Sequence, residues 1–210
     1  MLLALLSQPT SSNARLVISE LLSRLATATP KIGYIASMPD PQREYYQQSQ
    51  QLYAELNVEM TVYLELESEF TQQALDTLLT CDVIHLSGGD TQRFLNAIKR
   101  RQLIAPLTKF AVNGGAIVGV SAGAMVLTPS IACAVLCGDQ IKGSHAELTA
   151  LNLIPFQFVP HFEIAQLKDA NFNQQLKTLK SAAYLCGDDD ALLLSAEQLV
   201  IFGEPRLVNN

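Results

Sequence analysis

Short apolar runs alternate with amphipathic stretches over the first 120 residues of the chain. The apolar runs predict buried strands at 2–6, 31–36, 58–66, 82–86 and 116–120. The stretches between them carry apolar residues at helical spacing and predict helices at about 14–28, 40–56, 68–79, 91–100 and 103–113. Strands that alternate with helices are typical of βαβ units, so we expect a mostly parallel sheet with helices on both faces.

The pattern changes after about residue 130, where helical periodicity becomes sparse. Short apolar runs at 182–186, 191–194 and 198–202 predict antiparallel strands, with 187–190 as the turn between the first two. We see no linker, internal repeat or low-complexity segment. Residues 1–210 are therefore expected to form a single α/β domain of three layers.

Composition and charge exclude several classes of protein. Hydrophobic residues make up 49% of the chain and the formal net charge is −6, without a basic run. These values argue for a globular protein and against nucleic acid or an anionic membrane as the main partner. The apolar run at the N-terminus is short and lacks a preceding positive charge, and no run is long enough to span a membrane. We expect a soluble, cytoplasmic protein.

The four cysteines do not form a metal-binding pattern. Cys133 and Cys137 are four residues apart, but neither a second cysteine pair nor a histidine at ligand spacing accompanies them. We expect buried free thiols, no metal site and no cofactor.

The sequence GVSAG at 119–123 follows the predicted strand 116–120 directly. This pattern is typical of a nucleophile elbow, in which a strand turns sharply into a helix and exposes a serine. The flanking glycines allow the sharp turn. Ser121 is therefore the candidate nucleophile, although a glycine-rich turn can also bind a phosphate or simply pack tightly.

A serine nucleophile needs a base, and the chain has three histidines. His85 lies inside the strand 82–86 and is expected to be half-buried. His145 lies in a polar loop. His161 lies in the apolar segment 158–162, which should keep the imidazole neutral and able to accept a proton, so we favour it as the base.

The acid that would orient the histidine is left open by the residues themselves. Three aspartates follow one another at 188–190, where the alternative is an ordinary solvated turn. Glu163 lies two residues after His161. Asp139 precedes the histidine and would produce the Ser–Asp–His order of α/β-hydrolases.

A second glycine-rich turn follows the strand 82–86, on the same expected edge of the sheet. The N–H groups of Ala122 and of the Gly88–Gly89 turn are candidates for an oxyanion hole. The alternative is a plain strand-to-helix turn with Asp90 or Thr91 as the helix cap.

Three segments together resemble the peptidase E (aspartyl dipeptidase) and cyanophycinase family of serine peptidases, family S51. They are LSGGDT at 86–91, GVSAGA at 119–124, and LNLIPF at 151–156 followed by PHF at 160–162. The resemblance implies an α/β, flavodoxin-like fold related to class I glutamine amidotransferases. It also implies a triad in the order serine, histidine, acid, with Asp188 in the acid position.

Recognition of an aspartyl substrate calls for a basic side chain, and the resemblance to the family is incomplete at the segment that would supply it. The segment 163–184 contains no arginine and only Lys168, Lys177 and Lys180, so Arg93 is the candidate replacement.

We therefore expect a dipeptidase-like serine peptidase that acts on short peptides through Ser121, His161 and Asp188. Two alternatives remain open: a non-catalytic ligand-binding or regulatory protein on the same scaffold, and an esterase or amidase. The oligomeric state, monomer or homodimer, is also open.

Overall fold

The computed structural model describes residues 1–209, which form two β-sheets and surrounding helices. The strands in this range are β1 Leu2–Leu6, β2 Ile32–Ala36, β3 Met60–Glu65, β4 Val83–Leu86, β5 Ala116–Val120, β6 Gln157–Val159, β7 Ala183–Leu185, β8 Ala191–Ser195, β9 Leu199–Phe202 and β10 Arg206–Val208. The α-helices are α1 Ser12–Ser23, α2 Glu44–Ala54, α3 Gln72–Leu78, α4 Thr91–Arg100, α5 Ile104–Val112, α6 Ala122–Met125, α7 His145–Leu148 and α8 Ala170–Leu176. Two 3₁₀ segments lie at Ile131–Cys137 and Ile164–Lys168.

Over residues 1–209 the larger sheet has the strand order β3-β2-β4-β5-β1-β8-β9. The pairs from β3 to β1 are parallel, whereas β8 runs antiparallel to both β1 and β9. The α/β architecture predicted from the alternating pattern, class I glutamine amidotransferase-like, is confirmed. Its parallel strands end at one edge, where ligands bind in such sheets.

Alternate residues of each central strand enter two separate cores. Leu3 and Leu5 of β1 pack on one face, with α3, α4, α5 and α6, whereas Ala4 and Leu6 pack on the other, with α1 and α2. Because both faces are covered, these strands are apolar at nearly every position. This is why their sequence reads as continuous apolar runs.

The smaller sheet has the order β10-β7-β6 and carries the segment that contains His161. We predicted 182–186 and 191–194 to pair with each other, which is wrong: β7 pairs with β6 and β10, whereas β8 joins β1 in the larger sheet. The predicted antiparallel pairing of 191–194 with 198–202 is confirmed. The turn at 187–190 therefore connects the two sheets.

Two helices begin later than predicted because carboxylates hold the preceding backbone. Asp40 accepts hydrogen bonds from the N–H groups of Glu44 and Tyr45, so α2 begins at Glu44 rather than near residue 40. Glu65 similarly accepts the N–H groups that follow it, and α3 begins only after Thr71. The helix α1, predicted to reach residue 28, ends at Ser23.

The short elements β6 and α8 were not predicted from the sequence. Each is too short for a hydrophobic period to become visible. No helix in residues 1–209 combines the length and the apolar character that crossing a membrane would require.

Candidate active site

Ser121 lies in a sharp turn between β5 and α6, at the carboxyl edge of the larger sheet. Its backbone angles are φ 48° and ψ −109°, a conformation that a residue with a side chain adopts only at a cost of about 1–3 kcal/mol. The turn is held by a hydrogen bond from the Ser121 N–H to the carbonyl of Leu6, 2.8 Å. A Cβ at Gly119 would lie 2.6 Å from the Gly123 carbonyl oxygen, and a Cβ at Gly123 would collide with the Leu86 carbonyl. The two glycines are thus required by close backbone packing.

Three polar side chains that lie far apart in the sequence form one hydrogen-bonded row. The Oγ of Ser121 lies 3.0 Å from the Nε2 of His161, and the Nδ1 of His161 lies 2.6 Å from the Oδ1 of Asp188. With Nδ1–H donating to Asp188, Nε2 is left to accept the proton of the Ser121 hydroxyl. The structure therefore brings together the three residues that were predicted to act together.

The environment of His161 differs from the one we inferred from its apolar neighbours in sequence. Its side chain is 43% exposed, and that of Asp188 is 66% exposed. His161 lies two residues after the buried strand β6, and its backbone has the left-handed conformation, with φ 57°. The expectation of an apolar surrounding for the imidazole is therefore wrong.

Ser7, the residue that follows β1, ties His161 to the turn that carries Asp188. Its Oγ accepts a hydrogen bond from the His161 N–H at 2.7 Å and donates to the carbonyl of Cys186 at 3.3 Å. Ser7 is fully buried. Sequence reasoning missed this residue, although a serine directly after a central strand is a signal for the ligand-binding edge.

The three adjacent aspartates have three different sets of contacts. Asp188 contacts His161. Asp189 accepts hydrogen bonds at the start of α1, from the N–H of Asn13 and the hydroxyl of Ser12, and the Asn13 bond foremost lowers its pKa below the ordinary value. Asp190 accepts the N–H groups of Gly187 and Glu204, both at 2.7 Å, and so closes the turn.

The other candidate acids and bases lie elsewhere. Asp139 accepts a hydrogen bond from the Thr91 hydroxyl at 2.8 Å rather than contacting His161. Glu163 forms a capping box at the start of a 3₁₀ segment, and His145 begins the exposed one-turn helix α7. The order Ser–Asp–His, which the alternative esterase would use, has no counterpart in these contacts.

The turn at Gly88 and Gly89 approaches Ser121 closely. A Cβ at Gly88 would lie 3.6 Å from the Ser121 Cβ, and the Gly88 carbonyl accepts a hydrogen bond from the Ser37 hydroxyl at 2.5 Å. Gly89 has φ 135°, and a Cβ there would collide with the Ser37 Oγ. The N–H groups of Gly89 and Ala122 take part in no hydrogen bond within residues 1–209. Both donors are therefore available to a ligand oxygen. Asp90 caps α4, as one of our alternatives expected.

Arg93, predicted to bind substrate, lies outside the cavity that contains Ser121. Its guanidinium forms a two-pronged ion pair with Glu67, at 2.6 and 2.9 Å, and lines a neighbouring cleft shared with Asp139. The prediction placed Arg93 by its distance along the chain from Gly89. The first turn of α4 instead directs it away from Ser121 and toward the loop after β3.

A cavity of about 520 Å³, here called the Ser121 cavity, opens beside Ser121 and His161 and extends under α2 to Tyr34 and His85. His85 is not half-buried as expected but 1% exposed, with its Nδ1 3.2 Å from the Tyr53 hydroxyl. Burial lowers the pKa of His85 to about 3, so the ring is neutral at physiological pH. Among the described residues, no group of three or more His, Cys, Asp or Glu side chains is placed to hold a metal ion.

Comparisons with known proteins identify the family to which the chain belongs. Residues 2–202 match the family model described as Peptidase family S51. Proteins named Peptidase E from Escherichia coli K12 and from Shigella boydii serotype 18 are each 33% identical over 125 residues, which is 60% of this chain. The matched segment spans about half of these relatives, 49% of their length.

Two solved structures show the same fold. A peptidase E protein from Listeria monocytogenes EGD-e superposes with a TM-score of 0.74 at 18% identity, covering 96% of this chain and 97% of its own. A peptidase from an acI-B1 Actinobacterium has a TM-score of 0.72 at 17% identity, covering 99% and 93%. At this level of identity, the likeness establishes the fold alone.

Proposed function

The chain belongs to peptidase family S51, and from that premise we propose that it is a serine peptidase that hydrolyses short peptides, with dipeptides as the principal substrates. The observation that carries the proposal is the hydrogen-bonded row from Ser121 through His161 to Asp188, which begins at a strained elbow beside a cavity. The same row in an ordinary loop would be a surface contact. Here the backbone holds the hydroxyl toward a space that a substrate can enter.

In this mechanism Ser121 attacks the carbonyl carbon of the peptide bond. His161 takes the hydroxyl proton at Nε2 as the Oγ–carbon bond forms, and the carbonyl oxygen becomes an oxyanion. The N–H groups of Gly89 and Ala122 would donate hydrogen bonds to that oxygen. Asp188 accepts the Nδ1–H, which keeps the imidazole in the required tautomer and stabilises the imidazolium.

Breakdown of the tetrahedral intermediate returns the proton. His161 donates it from Nε2 to the leaving amine, the carbon–nitrogen bond breaks, and an acyl-Ser121 ester remains. A water molecule then enters, gives a proton to His161 and attacks the ester carbonyl. The bond from the carbonyl carbon to Oγ breaks as His161 returns that proton to Oγ, which releases the acid and restores the Ser121 hydroxyl. The exposure of His161 allows this water to reach the ester.

The sequence and cysteine chemistry support the rest of the proposal. The net charge of −6 without a basic run does not suit nucleic acid, so we take a short peptide as the partner. All four cysteines are free thiols, which is typical of a reducing compartment, and we place the enzyme in the cytoplasm. The mechanism calls for no cofactor.

A fluorophosphonate probe tests the proposal directly, because it reacts only with an activated serine. We expect mass spectrometry to locate the label on Ser121 in the wild type, and no label in Ser121→Ala. His161→Ala should lose labelling, whereas the matched control His145→Ala, at an exposed histidine on α7, should label as the wild type does.

Hydrolysis of a dipeptide set, followed by chromatography of the free amino acids, completes the test. Ser121→Ala should lower kcat by about 10⁴-fold or more. Absence of both labelling and hydrolysis in the wild type would overturn the proposal in favour of a non-catalytic ligand-binding protein. Labelling without cleavage of any peptide, together with hydrolysis of simple esters, would point to an esterase on the same scaffold.

A further inference from the structure

The entrance of the Ser121 cavity is acidic. Asp40, Glu55 and Asp90 line it, and Arg15 is the one lysine or arginine among its described lining residues. Arg15 is not free, because its guanidinium lies 2.9 Å from the Glu55 carboxylate. The lining thus offers no unpaired cation to a carboxylate of the substrate, whereas it carries two carboxylates in excess.

The interior of the cavity is mostly apolar, with Ser7 and Ser37 as further buried polar residues in its lining. Leu52 and Val120, both buried from bulk solvent, form walls between Ser121 and the inner end. At that end the Tyr34 hydroxyl stands beside the hydroxyls of Ser49 and Ser87.

The groups at the inner end are uncharged. Burial raises the pKa of Tyr34 far above its usual range and lowers that of His85, so both rings are neutral at pH 7. An acidic side chain that reached this end would lose its water without meeting an opposite charge, and the Asp40 carboxylate, whose charge also acts on Tyr34, would repel it.

From these contacts we propose that the Ser121 cavity takes the N-terminal residue of a peptide and selects a large uncharged side chain, aromatic or long aliphatic, against an acidic one. This inference rests on the proposed peptidase function for its substrate class. The free α-ammonium of the peptide would be attracted by the excess of carboxylates at the entrance. The side chain would enter the interior of this cavity, whose total volume of about 520 Å³ exceeds the need of a small or acidic residue.

The test uses binding as well as catalysis, so that it does not depend on turnover. Four dipeptides that differ only in their first residue are titrated calorimetrically into Ser121→Ala: phenylalanyl-, alanyl-, lysyl- and aspartyl-leucine. We expect phenylalanyl-leucine to bind at least 100-fold more tightly than aspartyl-leucine and about 10-fold more tightly than alanyl-leucine. In the wild type, kcat/KM should follow the same order.

Shortening the cavity provides a second measurement. Ser49 lies on α2 at the inner end, and Ser49→Leu should weaken phenylalanyl-leucine by at least 10-fold more than alanyl-leucine. Ser23→Leu, at an exposed serine near the end of α1, is the matched control and should leave all four affinities as they are. Circular dichroism checks that each variant folds. If Ser49→Leu does not fold, the dipeptide series on Ser121→Ala still tests the side-chain preference.

The outcomes separate this inference from the proposed function. Labelling of Ser121 together with equal or tighter binding of aspartyl- or lysyl-leucine would overturn the side-chain preference and leave the peptidase proposal intact. Binding of phenylalanyl-leucine without labelling or hydrolysis would overturn the peptidase proposal and support the cavity assignment. Absence of binding by all four dipeptides would overturn the assignment.

Discussion

Replacing each of the three consecutive aspartates by asparagine should produce three different results. The substitution keeps the size of the side chain and removes its charge, so each variant tests one set of contacts. Asp188 contacts His161, Asp189 contacts the start of α1, and Asp190 closes the turn at 187–190. If the run were only a solvated turn, the three variants would behave alike.

For Asp188→Asn we expect kcat to fall by about 10²–10⁴-fold, while the free energy of unfolding changes by less than about 0.5 kcal/mol. An asparagine amide can donate to Nδ1, which would place the imidazole proton on Nε2, where it cannot accept the Ser121 proton. Buried triad aspartates reach the upper end of that range. Because Asp188 is 66% exposed, water shares the role of acceptor and the loss should be smaller.

For Asp190→Asn we expect the opposite division between activity and stability. Its carboxylate accepts two backbone N–H groups at 2.7 Å, and an amide can satisfy only one of them. The loss should be about 1–3 kcal/mol of unfolding free energy, with kcat within about 10-fold of the wild type. Asp189→Asn, at an exposed carboxylate, should cost less than about 1 kcal/mol and leave kcat unchanged.

The assays are urea unfolding followed by fluorescence or circular dichroism, and the rate of fluorophosphonate labelling at Ser121, which needs no known substrate. Asp188→Glu, which retains the charge, is a useful companion, since it should recover part of the labelling rate. Loss of labelling in Asp189→Asn or Asp190→Asn comparable to that in Asp188→Asn, with all three proteins folded, would refute the assignment of roles.

Other substitutions test the surroundings of the site. Burial holds the pKa of His85 at about 3 against an ordinary 6.5, so between these values the unfolded chain binds a proton that the folded chain does not. The free energy of unfolding should therefore decrease as pH falls from 6.5 toward 4, by at most about 1.4 kcal/mol per pH unit. His85→Asn should weaken this pH dependence in urea titrations, and the same pH dependence in the variant and the wild type would contradict the assignment to His85. Ser7→Ala removes the acceptor of the His161 N–H and should slow labelling of Ser121 by about 10-fold with KM little changed, because its main effect is to displace the base. A lower free energy of unfolding with an unchanged labelling rate would indicate a merely structural role. Gly123→Ala forces a Cβ against the Leu86 carbonyl and should lower the free energy of unfolding by about 2 kcal/mol or more. In the control Gly114→Ala the added Cβ meets open space, so only the backbone strain at φ 103° should lower the free energy of unfolding, by about 1–2 kcal/mol.

The candidate site was predictable from the sequence as far as its parts are local. The elbow at Ser121 depends on a strand, two glycines and a helix that are consecutive in the chain, and the contacts of Gly119 and Gly123 show why small residues are needed there. The histidine was chosen correctly as the partner of Ser121 in space, but for a wrong reason, since its ring is exposed. The residues alone left several candidates for the acid, and Asp188 was placed only by the family resemblance, because adjacent residues of a turn point in directions that the turn's distant contacts decide.

The sequence by itself determined the layered fold and the edge at which the site lies. Parallel strands covered on both faces are apolar at nearly every position, so the central strands β1, β2, β4 and β5 are visible as runs, and the carboxyl ends of β4 and β5 carry the two glycine-rich turns. Tertiary structure alone decided which sheet β7 joins, which aspartate meets His161, and where Arg93 finds its partner. These outcomes depend on contacts between residues far apart in the chain, such as Asp189 with Ser12, and no local pattern of polarity records them.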